Sequence, residues 1–161
     1  MFLYQDECVR NKAGNPPAFL QIKNLSVDFV SDNEIVHAVK SISFAVNRGE
    51  ITALVGESGS GKTVTSLSIL QLLASPPASY NSGEILFSED GSNVEDLLKK
   101  NTKKLKYIRG NTIAMIFQEP MSSLNPVFTC GRQVIEAILS HKKISQKEAR
   151  QQTIQWLSKV R

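Results

Sequence analysis

The chain has 161 residues, 41% of them hydrophobic and 21% charged, with a net charge of +4. That is one domain's worth of sequence, with enough apolar side chains for a real core, and the ordinary balance excludes disordered and collagen-like chains. No apolar run approaches the roughly 18 residues of a membrane span, and Asp6 and Glu7 interrupt the short opening MFLY, so neither a span nor an export signal is expected.

Cys8 and Cys130 lie far apart, with no CxxC and no paired histidine. This argues against a zinc site or a disulfide framework and fits a reducing compartment. Residues 1–18 hold Asn11, Gly14, Asn15, Pro16 and Pro17 without hydrophobic periodicity and read as a loose leader. Residues 19–30 (FLQIKNLSVDFV) predict one or two strands. Val36, His37, Ala38 and Val39 predict another after a turn at 31–33. Ile42, Phe44 and Val46 then alternate with Ser43 and Ala45, the period of two expected of a strand. With the turn at 47–50, this makes an antiparallel β portion ahead of the next stretch.

Residues 51–73 (ITALVGESGSGKTVTSLSILQLL) carry the chemistry. An apolar strand runs into Gly56, Glu57, Ser58, Gly59, Ser60, Gly61, Lys62 and Thr63, and an apolar helix follows at once. The pattern G-x-x-x-x-G-K-[ST] is therefore met in a strand–loop–helix context. The three glycines allow backbone conformations in which successive N–H groups turn inward and hold phosphate oxygens. The N-terminus of the helix adds the positive end of its dipole. Lys62 is placed to reach β- and γ-phosphates, and the Thr63 hydroxyl to ligate Mg²⁺. The bland alternative, a Gly/Ser turn between strand and helix, loses weight once the flanking apolar segments are counted.

Further on, residues 75–79 break the chain, 83–87 (GEILF) predict a strand and 88–92 a turn. Lys99, Lys100, Lys103, Lys104, Lys106 and Arg109 concentrate the positive charge within eleven residues. No stacking aromatics or groove-reading motif accompany them, so a solvated helix face, ending at Gly110, is expected rather than a nucleic-acid contact. Residues 113–117 (IAMIF) have the continuous apolar character of a buried strand, followed by Gln118, Glu119 and an irregular segment. Val134, Ile135, Ile138 and Leu139 form one helical stripe. Ser145 and Glu148 make a capping box for a second helix, whose stripe is Ala149, Thr153, Trp156, Leu157 and Val160. His141 has no partner and reads as a surface or helix-end residue.

Several of these segments together resemble the ATP-binding subunits of ABC transporters, particularly those of bacterial oligopeptide and dipeptide importers. They are VHAV at 36–39, SISF at 41–44, RGE at 48–50, GESGSGKT at 56–63, SGEI at 82–85 and IAMIFQEPMSSLNP at 113–126. The last is the most specific, because FQ-x-P-x-x-x-LNP is similar to the Q-loop of the peptide-importer branch. The resemblance implies that Phe29 stacks on adenine, although its pattern alone also fits a strand core. It implies that Gln118 contacts Mg²⁺ or the attacking water, and that the region around it senses a membrane subunit. A rival reading makes 113–119 a Walker B strand, with Gln118 in the metal-aspartate place and Glu119 as base, but an amide holds a metal poorly where a carboxylate is needed.

The sequence departs from the family by having no LSGGQ-like signature, no apolar strand ending in Asp-Glu and no switch histidine. In the family these follow the helical segment reached here, so an N-terminal part of such a subunit is expected, and no catalytic residue is assigned. The implied fold is α/β: a P-loop NTPase (RecA-like) core with an antiparallel β portion and the start of an α-helical subdomain, truncated. The expected divisions are a leader at 1–18, the β portion and nucleotide-binding core at 19–120, and the helical subdomain from 121 to 161. The implied cofactors are ATP and Mg²⁺. The implied partners are a second ATP-binding subunit and transporter membrane subunits, which would hold the chain on the cytoplasmic face of the membrane. The alternatives are an ATP-binding protein without hydrolysis and another small P-loop NTPase.

Overall fold

The computed structural model describes residues 18–32, 34–117 and 124–160. The expected leader, Ala18 apart, lies outside the described residues, as do Gln118 and Glu119. The chain divides into two compact units, Met1–Leu105 and Lys106–Arg161.

The first unit is built on a four-stranded antiparallel sheet in the order β2-β1-β3-β4. Its strands are β1 (Leu20–Val30), β2 (Ile35–Val46), β3 (Ala78–Phe87) and β4 (Glu95–Asp96). The apolar residues of the central strand make the core: Ile22, Leu25 and Val27 are fully buried with Ile85 and Leu97. Two predicted strands merge into the single β2, despite the polar pair Lys40 and Ser41 at its middle. Side-chain hydroxyls explain the continuity. Where the β1–β2 register shifts, the Ser41 N–H donates to Ser26 Oγ at 3.0 Å and the Asn24 N–H to Ser43 Oγ at 2.8 Å, so the interrupted ladder keeps partners. Gly83 lets β3 cross β1 closely, since at φ +103° a Cβ would lie 2.6 Å from the Leu25 Cα. β3 also starts earlier than the Pro-Pro break suggests, because the Val30 N–H donates to the Pro77 carbonyl at 2.9 Å.

Two β-bulges lie on either side of Val27 in the second half of β1. β2 inserts Ala38 opposite the step from Val27 to Asp28, and β3 inserts Asn81 opposite the step from Ser26 to Val27. Helix α1 (Lys62–Ile69) is shorter than the apolar run suggests and buries Thr65 and Ser68. After β4, Asp96 caps a short 3₁₀ turn by accepting from the Leu98 N–H, and α2 (Thr102–Ile108) follows.

Residues 51–56, predicted as the strand that enters the glycine loop, form no ladder here; Ile51 is 99% and Val55 89% exposed. A parallel strand needs partners along its edges and cover on its faces, and among the described residues the sheet of this unit is wholly antiparallel. In the second unit, among the described residues, 113–117 carry only the bridge between Arg109 and Ile113, and Ile116 is 91% exposed. The sequence signals for both strands are apolar runs, which record a need for burial rather than burial itself.

The second unit also holds the helices α3 (Cys130–His141) and α4 (Gln146–Lys159). Thr129 caps α3 by accepting from the Arg132 N–H. The predicted capping box at α4 is present in full: Ser145 Oγ accepts from the Glu148 N–H at 3.3 Å, and Glu148 Oε2 accepts from the Ser145 N–H at 2.9 Å. The α4 stripe is buried at Ala149 and Thr153 and emerges at Trp156, Leu157 and Val160.

Candidate functional site

The sequence from Gly56 to Thr63 forms an exposed loop closed on itself by short-range bonds. The Ser60 N–H donates to the Glu57 carbonyl at 3.2 Å. The loop is tight enough that a Cβ on Gly56 would lie 2.7 Å from Ser60 Oγ. Gly61 is the N-cap of α1 in the left-handed conformation, φ 88° and ψ 3°. No side chain caps the helix and its first turn holds no acidic residue. The N–H groups there are thus left to an external acceptor, in a field that favours anions. The Gly61 carbonyl anchors the next turn by accepting from the Thr65 N–H and hydroxyl at 2.8 and 2.9 Å.

Lys62 folds back over the loop. Its ammonium donates to the Gly56 carbonyl at 2.8 Å, the Glu57 carbonyl at 2.6 Å and Ser60 Oγ at 3.2 Å. A full positive charge is thereby fixed at the mouth of the loop beside the uncapped helix terminus. Thr63 is exposed at the next helical position, where its hydroxyl offers the hard oxygen that Mg²⁺ takes. The arrangement suits a chain of phosphate oxygens with a hard cation, and the glycines leave room for the backbone to approach it.

Phe29 stands on β1, paired across the ladder with Val36 on one side and Ala78 on the other, and it is half-buried. It connects to the loop through β2. At Gly61 a Cβ would meet the Ala38 carbonyl oxygen at 2.5 Å, so β2 passes directly beneath the start of α1, two residues beyond Val36. Sequence reading places Phe29 and the loop separately and gives no hint that Ala38 joins them; register shifts leave no local signature. Gln118 falls outside the described residues.

The basic run is partly committed within the sheet unit. Lys99 lies 3.0 Å from Asp96 and 3.7 Å from Glu84, and Lys100 is paired with Glu95. The hydrogen bond and charge of Asp96 hold the Lys99 ammonium above its ordinary pKa of 10.5. His141 ends α3, exposed, with its ring beside Gly110, where a Cβ would lie 3.0 Å from Nε2.

The family model described as ABC transporter matches residues 39–161. The chain is 41% identical over 149 residues to the "Glutathione import ATP-binding protein GsiA" of Escherichia coli (strain K12), covering 92% of this chain and 23% of that protein. It is 48% identical over 149 residues to the "Peptidoglycan transport ATP-binding protein YejF" of Agrobacterium fabrum (strain C58 / ATCC 33970), covering 92% of this chain and 26% of that protein. The chain thus spans about a quarter of the length of the curated relatives it matches. Among solved structures, a dimeric ATP-binding cassette in a post-hydrolysis state bound to ADP and Pi superposes with a TM-score of 0.66 at 22% identity, covering 86% of this chain and 56% of that one. The cassette fold therefore extends to this chain, although, among the described residues, 51–56 and 113–117 do not form ladder strands. Among the described residues, no helix is long and apolar enough to cross a membrane.

Proposed function

The chain belongs to the ABC transporter family, and from that premise we propose that it is the ATP-cradling part of a peptide-import transporter's nucleotide-binding subunit. The observation that carries the reading is the Lys62 ammonium held over the loop carbonyls beside the uncapped start of α1. ATP's phosphates lie on the N–H groups of residues 56–63, with Lys62 turning from the loop carbonyls to the β- and γ-oxygens. The adenine stacks on Phe29, whose half-buried ring stands on β1, next to the strand β2 that passes beneath the loop. Thr63 would hold Mg²⁺, whose charge would offset that of the phosphates, and a metal role for Gln118 rests on the family resemblance alone.

In this reading residues 19–120 make up the β portion and nucleotide core, and 121–161 open the helical subdomain. A second ATP-binding subunit completes the site by closing over the phosphates. The region around Gln118 meets the membrane subunits, so the protein sits on the inner face of the cell membrane through its partners. Peptides or related small solutes are the cargo, a choice supported by the import and transport names of the relatives.

Equilibrium binding of Mg-ATP by calorimetry tests the site. The unchanged chain saturates with ATP, and Lys62→Ala lowers the affinity by at least about tenfold through loss of a charge-assisted contact. Equal binding by both proteins would refute the assignment.

A further inference from the structure

Asp28 is a carboxylate near the C-terminal end of β1, between β2 and β3, and its side chain is only 8% exposed. Burial of such a group is costly unless it is bonded, and here it is bonded on both sides. His37 Nδ1 of β2 lies 2.9 Å from Oδ1, and the Asn81 amide of β3 donates to Oδ2. These partners adjoin the two bulges described above: Asn81 is the residue inserted in β3, and His37 precedes Ala38, the residue inserted in β2. The bulge at Ala38 carries its carbonyl to 2.5 Å from where a Gly61 Cβ would stand. Phe29 follows Asp28 directly and faces the opposite side of the sheet, as neighbours on a strand do. One buried carboxylate therefore ties together the strand bearing Phe29 and the strand supporting the glycine loop.

The geometry points to Asp28, with His37 and Asn81, as a positioning group that sets the spacing between the aromatic at Phe29 and the phosphate loop at Gly61. This rests on the ATP-site reading above and adds a specificity consequence. A ligand that engages both points at once depends on Asp28, whereas a ligand that engages the loop alone does not. Adenosine triphosphate is of the first kind and inorganic triphosphate of the second.

The test is equilibrium binding of ATP and of inorganic triphosphate to the unchanged chain, to Asp28→Ala and to His37→Ala. The His37 side chain is 58% exposed, so its removal opens no cavity and guards against a variant that simply fails to fold. Both substitutions are expected to weaken ATP about fivefold while leaving triphosphate within about twofold, a size typical of coupling through a bonded network. A general loss of structure lowers both affinities together, so parallel losses overturn the positioning role. Unchanged ATP binding in both variants overturns it equally. If the unchanged chain bound neither ligand, the ATP-site reading itself would fall, an outcome separate from the other two.

Discussion

The close approach of β2 to the start of α1 makes a quantitative prediction about two glycines of the same loop. Gly59 and Gly61 both have positive φ, +80° and +88°, so alanine at either site is strained by about 1–2 kcal/mol from the backbone alone. At Gly59 nothing lies within 4 Å of the added Cβ, and the strain is the whole effect. At Gly61 the Cβ would stand 2.5 Å from the Ala38 carbonyl oxygen and 3.2 Å from Val39 Cγ2. Backbone must move to relieve that contact, which adds about 1–3 kcal/mol, as overpacking does. Gly61→Ala should therefore cost about 2–5 kcal/mol and Gly59→Ala about 1–2 kcal/mol. Amide hydrogen exchange of the slowest β1 and β2 residues reads this difference within the sheet unit. Exchange in Gly61→Ala should be about 5- to 150-fold faster than in Gly59→Ala, since about 1.4 kcal/mol is a factor of ten and the added term is about 1–3 kcal/mol. Indistinguishable exchange in the two variants would refute the argument that the loop rests on the Ala38 bulge.

Two further expectations concern local devices. Ser145→Ala removes one half of the capping box and should destabilise α4 by about 1 kcal/mol, seen as faster exchange of the first-turn amides of α4. The Asn93 backbone N–H, then that of Ser92 and the Asn93 side chain, hold the Asp90 carboxyl at about 2, below its ordinary 3.8. A depressed folded-state value means the turn's support from Asp90 is present above pH 3.8 and is lost as pH falls through about 2. A carboxyl carbon titration of Asp90 by NMR checks the midpoint, and a value near 3.8 would contradict the bonds described.

What was legible in the sequence follows the range of the interactions. The glycine loop and the capping box are encoded in contiguous residues, and both stand where the pattern puts them. The antiparallel portion was legible from the alternation of Ile42, Phe44 and Val46, but not its length, because serine hydroxyls supply the bonds that carry β2 through Lys40 and Ser41. The association of Asp28 with His37 and Asn81 depends on register between three strands, which no single stretch records; a lone acidic residue in VDFV was the only cue. The apolar runs at 51–55 and 113–117 announce a demand for burial that the described residues do not meet. Periodicity reports what a segment requires of its neighbours and cannot report whether they are present.

The proposed role of residues 56–63, cradling ATP phosphates with Lys62 as their charged clamp, can be read residue by residue. Backbone amide shifts, recorded by ¹⁵N NMR as Mg-ATP is added to the unchanged chain and to Lys62→Ala, test it most directly. The largest shifts in the unchanged chain are expected on amides 59–63, and they should disappear at the same nucleotide concentration in the variant. Shifts centred elsewhere, or the same loop shifts with and without Lys62, would contradict that role.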